Sequence, residues 1–401
     1  MPLINGRELR QMFAHGGAAL AFRTLQEGFR RHLSGKEGGI RPEDISLRGL
    51  AEASIKDGTE WVRAMDPMNS GSFVAMEAVA AVNTTAFLNI NGLVLQTKIM
   101  ERAQAPEYVL SRITPTMPTR KRKVNTVGVG GVGDKAEEVH EGHPYPTFGF
   151  EDDWGETPLT VKRGFILNVT KEAVFEDEFG VVLQEASGIG DYLALNKEKR
   201  ITDVYAGVVN PYSWRGTAYN TYRTSGGTTS DGKNLWINDQ SNPLSDWNDI
   251  DDSKKLFSGM TDAHTGEKII VMPKHIVCTD MKESAFKRVL GAMDVRTLTG
   301  TGTVETIGPN PVAGSAQLIV APLLQDRLVA NSVAADNAKE YWLHGDMTKA
   351  FGYVENWPVT VVTAPTNNEA EFTQDIVARY KASEKGVPVV WNPRQVVRNK
   401  N

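Results

Sequence analysis

The clearest pattern of hydrophobic and polar positions lies in residues 158–207. Residues 159–169 predict an extended strand, and apolar residues then recur in steps of three or four, the period of one helical stripe. After Asp177 these apolar positions are Phe179, Val182, Leu183, Ala186, Ile189, Leu193, Leu195, Ile201, Val204 and Tyr205. A continuous helix of this length spans roughly 40 Å. We therefore expect a long structural helix that needs a long partner surface.

The preceding part of the chain predicts helices. Two amphipathic helices are expected near residues 18–31 and 42–65, separated by the glycine-rich linker SGKEGGI. Their apolar residues are too few to form a core alone, so residues 1–72 are interpreted as an arm that lies against something else. Residues 73–101 should contain the first buried helix of the main body.

Residues 114–158 change in character. Pro115 and Pro118 should end the helix, and Arg120, Lys121, Arg122 and Lys123 form a basic run. Residues 135–156 then carry seven acidic residues against Lys135 alone, together with several glycines and prolines. This composition predicts a long projecting hairpin or loop rather than a core segment.

The second half of the chain predicts an inserted α/β domain followed by a sheet. Residues 208–241 should be irregular, with helices near 245–260 and 282–293, a buried strand at 268–272 and a further strand at 318–321. At the C-terminus, an alternating pattern predicts a strand at 372–382, with 357–363 as its antiparallel partner, and further strands at 387–391 and 395–398 should complete the sheet. The fold class expected from these elements is α+β.

Composition and charge narrow the classes of function that the chain could have. The chain has 401 residues, 40% of them hydrophobic and 23% charged, with a formal net charge of −5. An acidic balance argues against a general nucleic-acid binder. A single cysteine, Cys278, excludes an intrachain disulfide, and its apolar surroundings predict a buried, inert thiol. With no secretory signal and no membrane span in the pattern, we expect a soluble protein made in the cytoplasm.

Three segments could be read as chemical sites. Residues 128–133 match GxGxxG, but the glycines and prolines that follow prevent the helix a dinucleotide site needs, so a flexible hinge is favoured. His140 and His143 flank Glu141, yet the spacing is one residue short of a zinc-protease motif. The acidic residues at 246–252 lack the glycine and closing glutamate of a calcium loop and are better explained as helix N-terminal acids.

No enzyme, cofactor or metal site is therefore predicted. The basic run could meet nucleic acid or form a solvated face, but a basic run and an acidic loop on one chain are also complementary between copies. The predicted inter-subunit contact residues are Arg120, Lys121, Arg122, Lys123, Glu137, Glu138, Glu141, Glu151, Asp152, Asp153 and Trp154.

The order of these parts resembles the major capsid protein of tailed bacteriophages, the Hong Kong 97-type fold, in a phage and prophage subgroup. The resemblance covers most of the chain from about residue 84. The motifs that carry it are EG and PYP at 141–146, KRG at 162–164, VTKEA at 169–173, KEKR at 197–200, TGE at 265–267, Trp342 with GD at 345–346, Phe372, DIVARYK at 375–381, and PR at 393–394.

The resemblance implies a domain plan. Residues 1–72 would be the N-terminal arm, 73–133 the first part of the peripheral domain, 134–157 the extended loop over a neighbouring subunit, and 158–207 the strand and spine helix. Residues 208–337 would be the axial domain, and 338–401 the C-terminal sheet of the peripheral domain. Gly188 and Gly190, within the predicted helix, are interpreted as the place where it bends when a shell expands.

The implied function is assembly, as hexamers and pentamers, of an icosahedral shell around packaged double-stranded DNA. Portal and scaffolding or decoration proteins would be partners, and the location would be the virion, assembled in the host cytoplasm. A large fused scaffold and an isopeptide crosslink, known in other family members, are not expected. The alternatives are an encapsulin-like compartment shell, or a soluble enzyme that uses residues 128–133 or the two histidines.

Overall fold

A computed structural model describes residues 6–45, 50, 84–129, 140, 152–170, 179–230, 232–299, 304–364 and 376–401. The α-helices of these residues are α1 (Gly6–Leu33), α2 (Thr84–Ala103), α3 (Val109–Ile113), α4 (Phe179–Ala206), α5 (Trp247–Ser258), α6 (Glu283–Gly291), α7 (Leu323–Ala330), α8 (Ala335–Ala338) and α9 (Met347–Ala350). Single 3-10 turns lie at Pro42–Asp44, Asp280–Lys282 and Pro393–Gln395.

The strands are β1 (Thr116–Pro118), β2 (Asn125–Val129), β3 (Asp152–Glu156), β4 (Val161–Thr170), β5 (Ser213–Trp214), β6 (Thr217–Ala218), β7 (Asp239–Ser241), β8 (His275–Cys278), β9 (Asp294–Thr299), β10 (Val304–Pro309), β11 (Gln317–Val320), β12 (Trp342–Gly345), β13 (Phe351–Thr363), β14 (Ile376–Val390) and β15 (Val396–Lys400). They form sheets in the orders β1-β13-β14-β4, β2-β3-β5-β6 and β11-β8-β12-β15-β7, and β9 pairs with β10 alone. The predicted α+β class is confirmed.

The long helix and the strand before it are confirmed. Helix α4 is unbroken over 28 residues. The predicted stripe is buried at Val182, Leu183, Ala186, Ile189, Leu193, Ile201, Val204 and Tyr205. The helix ends where Gly207 takes a φ of 72°, a left-handed conformation that glycine adopts without steric cost.

The chain divides into two compact units. The first comprises Met1–Glu107, Lys162–Asn196 and Trp357–Lys385. Its core packs residues of α1, α2, β4, α4 and β14, among them Leu25, Phe29, Val94, Ile99, Leu167, Val169, Leu193 and Tyr380. The first predicted helix is therefore longer than expected, and its apolar face lies against its own chain. Of the predicted helix at 42–65, the described part is the 3-10 turn, Ile45 and Leu50, which is helical and buried in this core, and residues 46–49 and 51–65 lie outside the described residues.

The second unit comprises Tyr108–Val161, Lys197–Asn356 and Gly386–Asn401. Its main core is rich in aromatic rings, with Tyr205 stacked on Phe351 at a centroid distance of 4.0 Å. The predicted helices near 245–260 and 282–293 correspond to α5 and α6, and the predicted strand at 318–321 corresponds to β11. The predicted α/β character of this segment is confirmed.

One strand prediction was wrong, and one predicted strand lies in a different sheet from the one expected. Residues 268–272 form no strand, because the backbone amides of residues 270–272 have no hydrogen-bond partner among the described residues. Ile269 and Val271 pack towards the core, while Ile270 and Met272 are 87% and 71% exposed. The strand predicted at 395–398 exists as β15, but it pairs with β12 and β7 rather than with the other C-terminal strands. The strand itself was predicted from the sequence, but its partners on β7 lie 159 positions away.

Candidate assembly surfaces

The predicted projecting segment rises from an antiparallel hairpin. Strand β2 pairs with β3 in the register Asn125↔Glu156 to Val129↔Asp152, and β3 continues onto β5 through Gly155↔Trp214. Residues 130–139 and 141–151 lie outside the described residues, and with them the predicted contact residues Glu137, Glu138, Glu141 and Glu151. Asp152, Asp153 and Trp154 lie on β3. The two ends of the projecting segment are therefore directly opposite each other.

Trp154 is held by its own chain. Its carbonyl accepts a hydrogen bond from the amide of Arg215 at 3.0 Å, and the Arg215 guanidinium lies 5.7 Å from the indole centroid. Arg215 has a φ of 49° in the tight turn between β5 and β6. The indole remains half-buried, so one side of it is available for a contact outside the described residues.

The basic run is exposed and its backbone is anchored. The Asn356 side-chain amide donates to the carbonyls of Thr119 and Lys121, both at 2.9 Å. Lys123 forms an ion pair with Glu156 at 2.6 Å, so it neutralises a charge at the base of the hairpin. Within the described part of the chain, Arg120, Lys121 and Arg122 form no ion pair. These three residues present concentrated positive charge to solvent.

A second surface is apolar and lies on β4, the outermost strand of its sheet. Val161, Phe165 and Ile166 are 48%, 46% and 65% exposed, and Tyr192 of α4 is 64% exposed. The rings of Phe165 and Tyr192 are 6.2 Å apart. A long edge strand with exposed apolar side chains is a template for pairing with another chain. This patch was not predicted, although Phe165 and Ile166 as neighbours cannot both face one core.

The third surface is the extended segment at 268–272. Ile269 donates its amide to the carbonyl of Met260 at 3.0 Å, but the amides of Ile270, Val271 and Met272 have no hydrogen-bond partner among the described residues. Exposed apolar side chains beside unpaired backbone resemble an edge strand that lacks its neighbour. Sequence reasoning placed these residues in the core because their apolar run has no polar alternation.

The titratable groups of the interior fit packing rather than catalysis. Burial raises the pKa of Cys278 to about 12, which leaves a protonated, unreactive thiol. Burial likewise lowers the pKa of His344 to about 3, and its neutral ring lies 3.2 Å from Ser253 Oγ and packs edge-on against Phe257. Cys278 belongs to a hydrophobic core, and His344 is a buried polar residue packed beside one.

The three candidate chemical segments acquire structural explanations where they are described. Gly128 lies on β2, whereas residues 130–133 and His143 lie outside the described residues; His140 is exposed. Asp246 and Asp249 form a capping box at the start of α5, as expected for helix N-terminal acids. The described residues contain no group of three potential metal ligands and no helix that is long and apolar enough to cross a membrane.

Comparison with known proteins gives one family match. The family described as "Phage capsid protein" matches residues 155–399. No curated protein matches the chain.

Three of the solved structures that are similar to the chain are the following. The capsid of cyanophage P-SCSP1u is 11% identical, over 72% of this chain and 86% of that chain, with a TM-score of 0.40. Mycobacterium phage Ogopogo gives 12% identity, 73% and 91% coverage and a TM-score of 0.38. The SrpI encapsulin complex of Synechococcus elongatus PCC 7942 gives 12% identity, 74% and 87% coverage and a TM-score of 0.38.

Proposed function

The chain belongs to the phage capsid protein family, and on this premise we propose that it is the major subunit of an icosahedral shell. Membership confirms the resemblance carried by the sequence motifs. Copies of the chain would assemble as hexamers and pentamers around packaged double-stranded DNA, in the virion, after assembly in the host cytoplasm. Portal and scaffolding or decoration proteins would be further partners.

The observation that carries this proposal is the family match over residues 155–399. It includes α4, the core of the second unit and the C-terminal strands. A structural role is also supported by the interior chemistry, since the buried thiol and imidazole are held in their neutral forms. No catalytic step is needed to account for any described residue.

The proposed roles of the parts follow the domain plan. Helix α1 and the residues up to 72 would form the arm, residues 134–157 the extended loop, and residues 208–337 the axial domain. The hairpin β2–β3 supports the loop assignment because it brings Val129 and Asp152, the neighbours of residues 130–151 in the sequence, directly opposite each other.

Contacts between copies would be both charged and apolar. The three unpaired cations of the basic run are complementary to the acidic residues Glu137, Glu138, Glu141 and Glu151 of a neighbouring copy. The apolar side chains on β4 and in residues 268–272 would be covered in the shell. Burying such side chains contributes about 25 cal/mol per Å² of apolar surface, whereas the charged pairs mainly set orientation.

The alternatives predict different particles. An encapsulin-like compartment would have the same kind of shell but enclose protein instead of DNA. A soluble enzyme would remain a monomer or dimer and show turnover.

The test is negative-stain electron microscopy of the purified full-length protein with size-exclusion chromatography. We expect closed shells or capsomers, and a monodisperse monomer or dimer would contradict the proposal. In the same assay, Arg120→Glu, Lys121→Glu and Arg122→Glu together should reduce assembly, because they place like charges opposite the acidic loop. The control Lys254→Glu changes an exposed lysine elsewhere and should assemble normally.

A further inference from the structure

A groove lies between α1 and α2 in the first unit. Its volume is about 1170 Å³, and its lining residues come from the second half of α1, the turn that follows, and the middle of α2. Small-molecule pockets usually measure about 300–1,000 Å³. The groove is therefore larger than a small ligand needs, and it suits a segment of polypeptide.

The groove has an apolar side. Phe29, Leu33, Leu93 and Met100 line it. Phe29 is fully buried, while the other three are half-buried and keep part of their surface open. Half-exposed apolar side chains in a concave surface are the usual anchors for the apolar residues of a bound peptide.

Three cations on the rim have no partner. Arg23, Arg30 and Lys36 line the groove, are exposed, and form no ion pair within the described ranges of the chain. In contrast, Arg31 is paired with Glu27 at 2.6 Å. The rim therefore carries net positive charge in a chain whose formal net charge is −5.

Two nearby acidic residues, Glu43 and Glu101, are engaged outside the groove. Lys98 of α2 bonds to Glu43 and also to Glu101 at 3.2 Å, and His32 lies 3.8 Å from Glu101. These contacts join α1, α2 and the 3-10 turn at Pro42–Asp44. Of the acidic residues that line the groove, Glu27 is paired with Arg31, which leaves Glu37 against the three cations.

The end wall of the groove is preformed. Ile40 donates its amide to the carbonyl of Gly28 at 3.1 Å, so the turn after α1 folds back along the helix. A side chain at Gly28 would lie 2.2 Å from Ile40 Cδ1, and one at Gly39 would lie 2.6 Å from the backbone of His32. The close fit fixes the wall that carries Lys36, and a preformed site costs less ordering entropy on binding.

We propose that this groove binds a peptide segment of a separate protein that carries acidic residues beside apolar ones. The apolar residues would pack on Leu33, Leu93 and Met100, and the acidic ones would pair with Arg23, Arg30 and Lys36. Nucleic acid fits less well. The apolar side of the groove cannot bind phosphates, and the acidic residues Glu27 and Glu37, which also line the groove, would repel them. The proposal goes beyond shell assembly, since it assigns a partner to one face of the subunit.

The test uses the full-length chain and two labelled synthetic peptides of about 18 residues, with leucine at helical spacing and either glutamate or lysine between. Fluorescence anisotropy should show at least tenfold tighter binding of the glutamate peptide, weakening as salt is raised. The variant Arg23→Gln/Arg30→Gln/Lys36→Gln should lower that affinity roughly tenfold. Met100→Glu should also lower it by placing a negative charge on the apolar side.

A matched control removes the same charge elsewhere. Lys254→Gln/Lys255→Gln/Arg288→Gln, which changes exposed cations of α5 and α6, should leave peptide affinity unchanged. Equal binding of the two peptides, or unchanged affinity in the groove variants, would overturn the proposal. Tighter binding of a 20-base-pair duplex, about two helical turns, lost in the same variants, would assign the groove to nucleic acid instead. If the peptide binds only after residues 130–151 have been replaced by a short turn, the groove is instead the binding site for residues 130–151 of another copy.

Discussion

At the scale of single residues, Glu198 shows how a buried charge can organise backbone. Its carboxylate is 3% exposed and accepts hydrogen bonds from the amides of Leu110 and Ser111, both at 2.8 Å. These amides belong to the start of the short helix α3, whose first N–H groups have no partner within the helix. Glu198 of α4 therefore caps a second helix from outside.

Replacing Glu198 tests this role. Glu198→Ala leaves two buried N–H groups without an acceptor and should lower the free energy of unfolding by about 1–3 kcal/mol. Glu198→Gln keeps one acceptor and should cost less. Urea denaturation of the unassembled chain measures both, and equal losses would show that the carboxylate does not cap α3.

The same residue gives a pH dependence. Burial raises the pKa of Glu198 above its ordinary 4.5, although the two backbone hydrogen bonds act in the opposite direction. The folded chain then binds this proton more readily than the unfolded chain. The stability of the wild type relative to Glu198→Gln should therefore rise as pH falls from neutral towards 4.5.

At the scale of elements, helix α4 contributes residues to the hydrophobic cores of both units. Its residues up to Asn196 contribute to the core of the first unit and its later residues to the core of the second. The two glycines within it have different surroundings. A Cβ at Gly190 would lie 2.6 Å from the carbonyl oxygen of Ile99 on α2, whereas at Gly188 the nearest atom is 4.0 Å away, on Tyr192. Close packing against α2 explains why residue 190 is a glycine. Gly188 is therefore the remaining position for the predicted bend of the helix during shell expansion.

Separate alanine substitutions distinguish the two glycines. Gly190→Ala should destabilise the chain by about 1–3 kcal/mol, because the backbone of α2 must move. Gly188→Ala should stabilise it by about 0.5–1 kcal/mol through helix propensity. Thermal unfolding measures both. If the helix bends at Gly188, the second variant should also slow shell expansion; an unchanged expansion rate would refute the bend.

At the scale of the whole molecule, the fold of a single chain does not explain why several apolar or strongly charged surfaces are exposed. The open edge of strand β4, residues 268–272 and the cations of residues 120–122 all lack a partner of matching character in the described chain. The proposed shell would account for them together, because contacts between copies would cover each of these surfaces.

Replacing the projecting segment tests the shell at this scale. Because Val129 and Asp152 are directly opposite, an Asn–Gly turn in place of residues 130–151 can close the hairpin without disturbing the sheet. The variant should keep the wild-type stability and circular dichroism but form no closed shells. The control inserts Asn–Gly into the exposed turn at Thr229–Gly232 and should assemble. Normal shells from the first variant would refute the loop's role.

Much of the fold was predictable because its signals are local. The spacing of apolar residues in α4, the alternation in β14 and the capping acids of α5 each act within a few positions. The loop predicted at residues 134–157 stays a prediction, because only residues 140 and 152–157 of it are described. Of the candidate contact residues, the basic run was correctly predicted to lie on a surface. The ion pair between Lys123 and Glu156 was not predicted.

The sequence by itself determined the long helix, the class of the fold and the family, because periodicity and short motifs are properties of neighbouring residues. Only the tertiary structure decided which strands pair with β15, that Ile270 and Met272 face solvent, and that Gly190 contacts α2. These outcomes depend on which distant segments compete for the same edge or face. The sequence shows that an apolar side chain favours burial. Only the tertiary structure shows whether the chain buries that side chain itself or leaves it exposed for a contact with another copy.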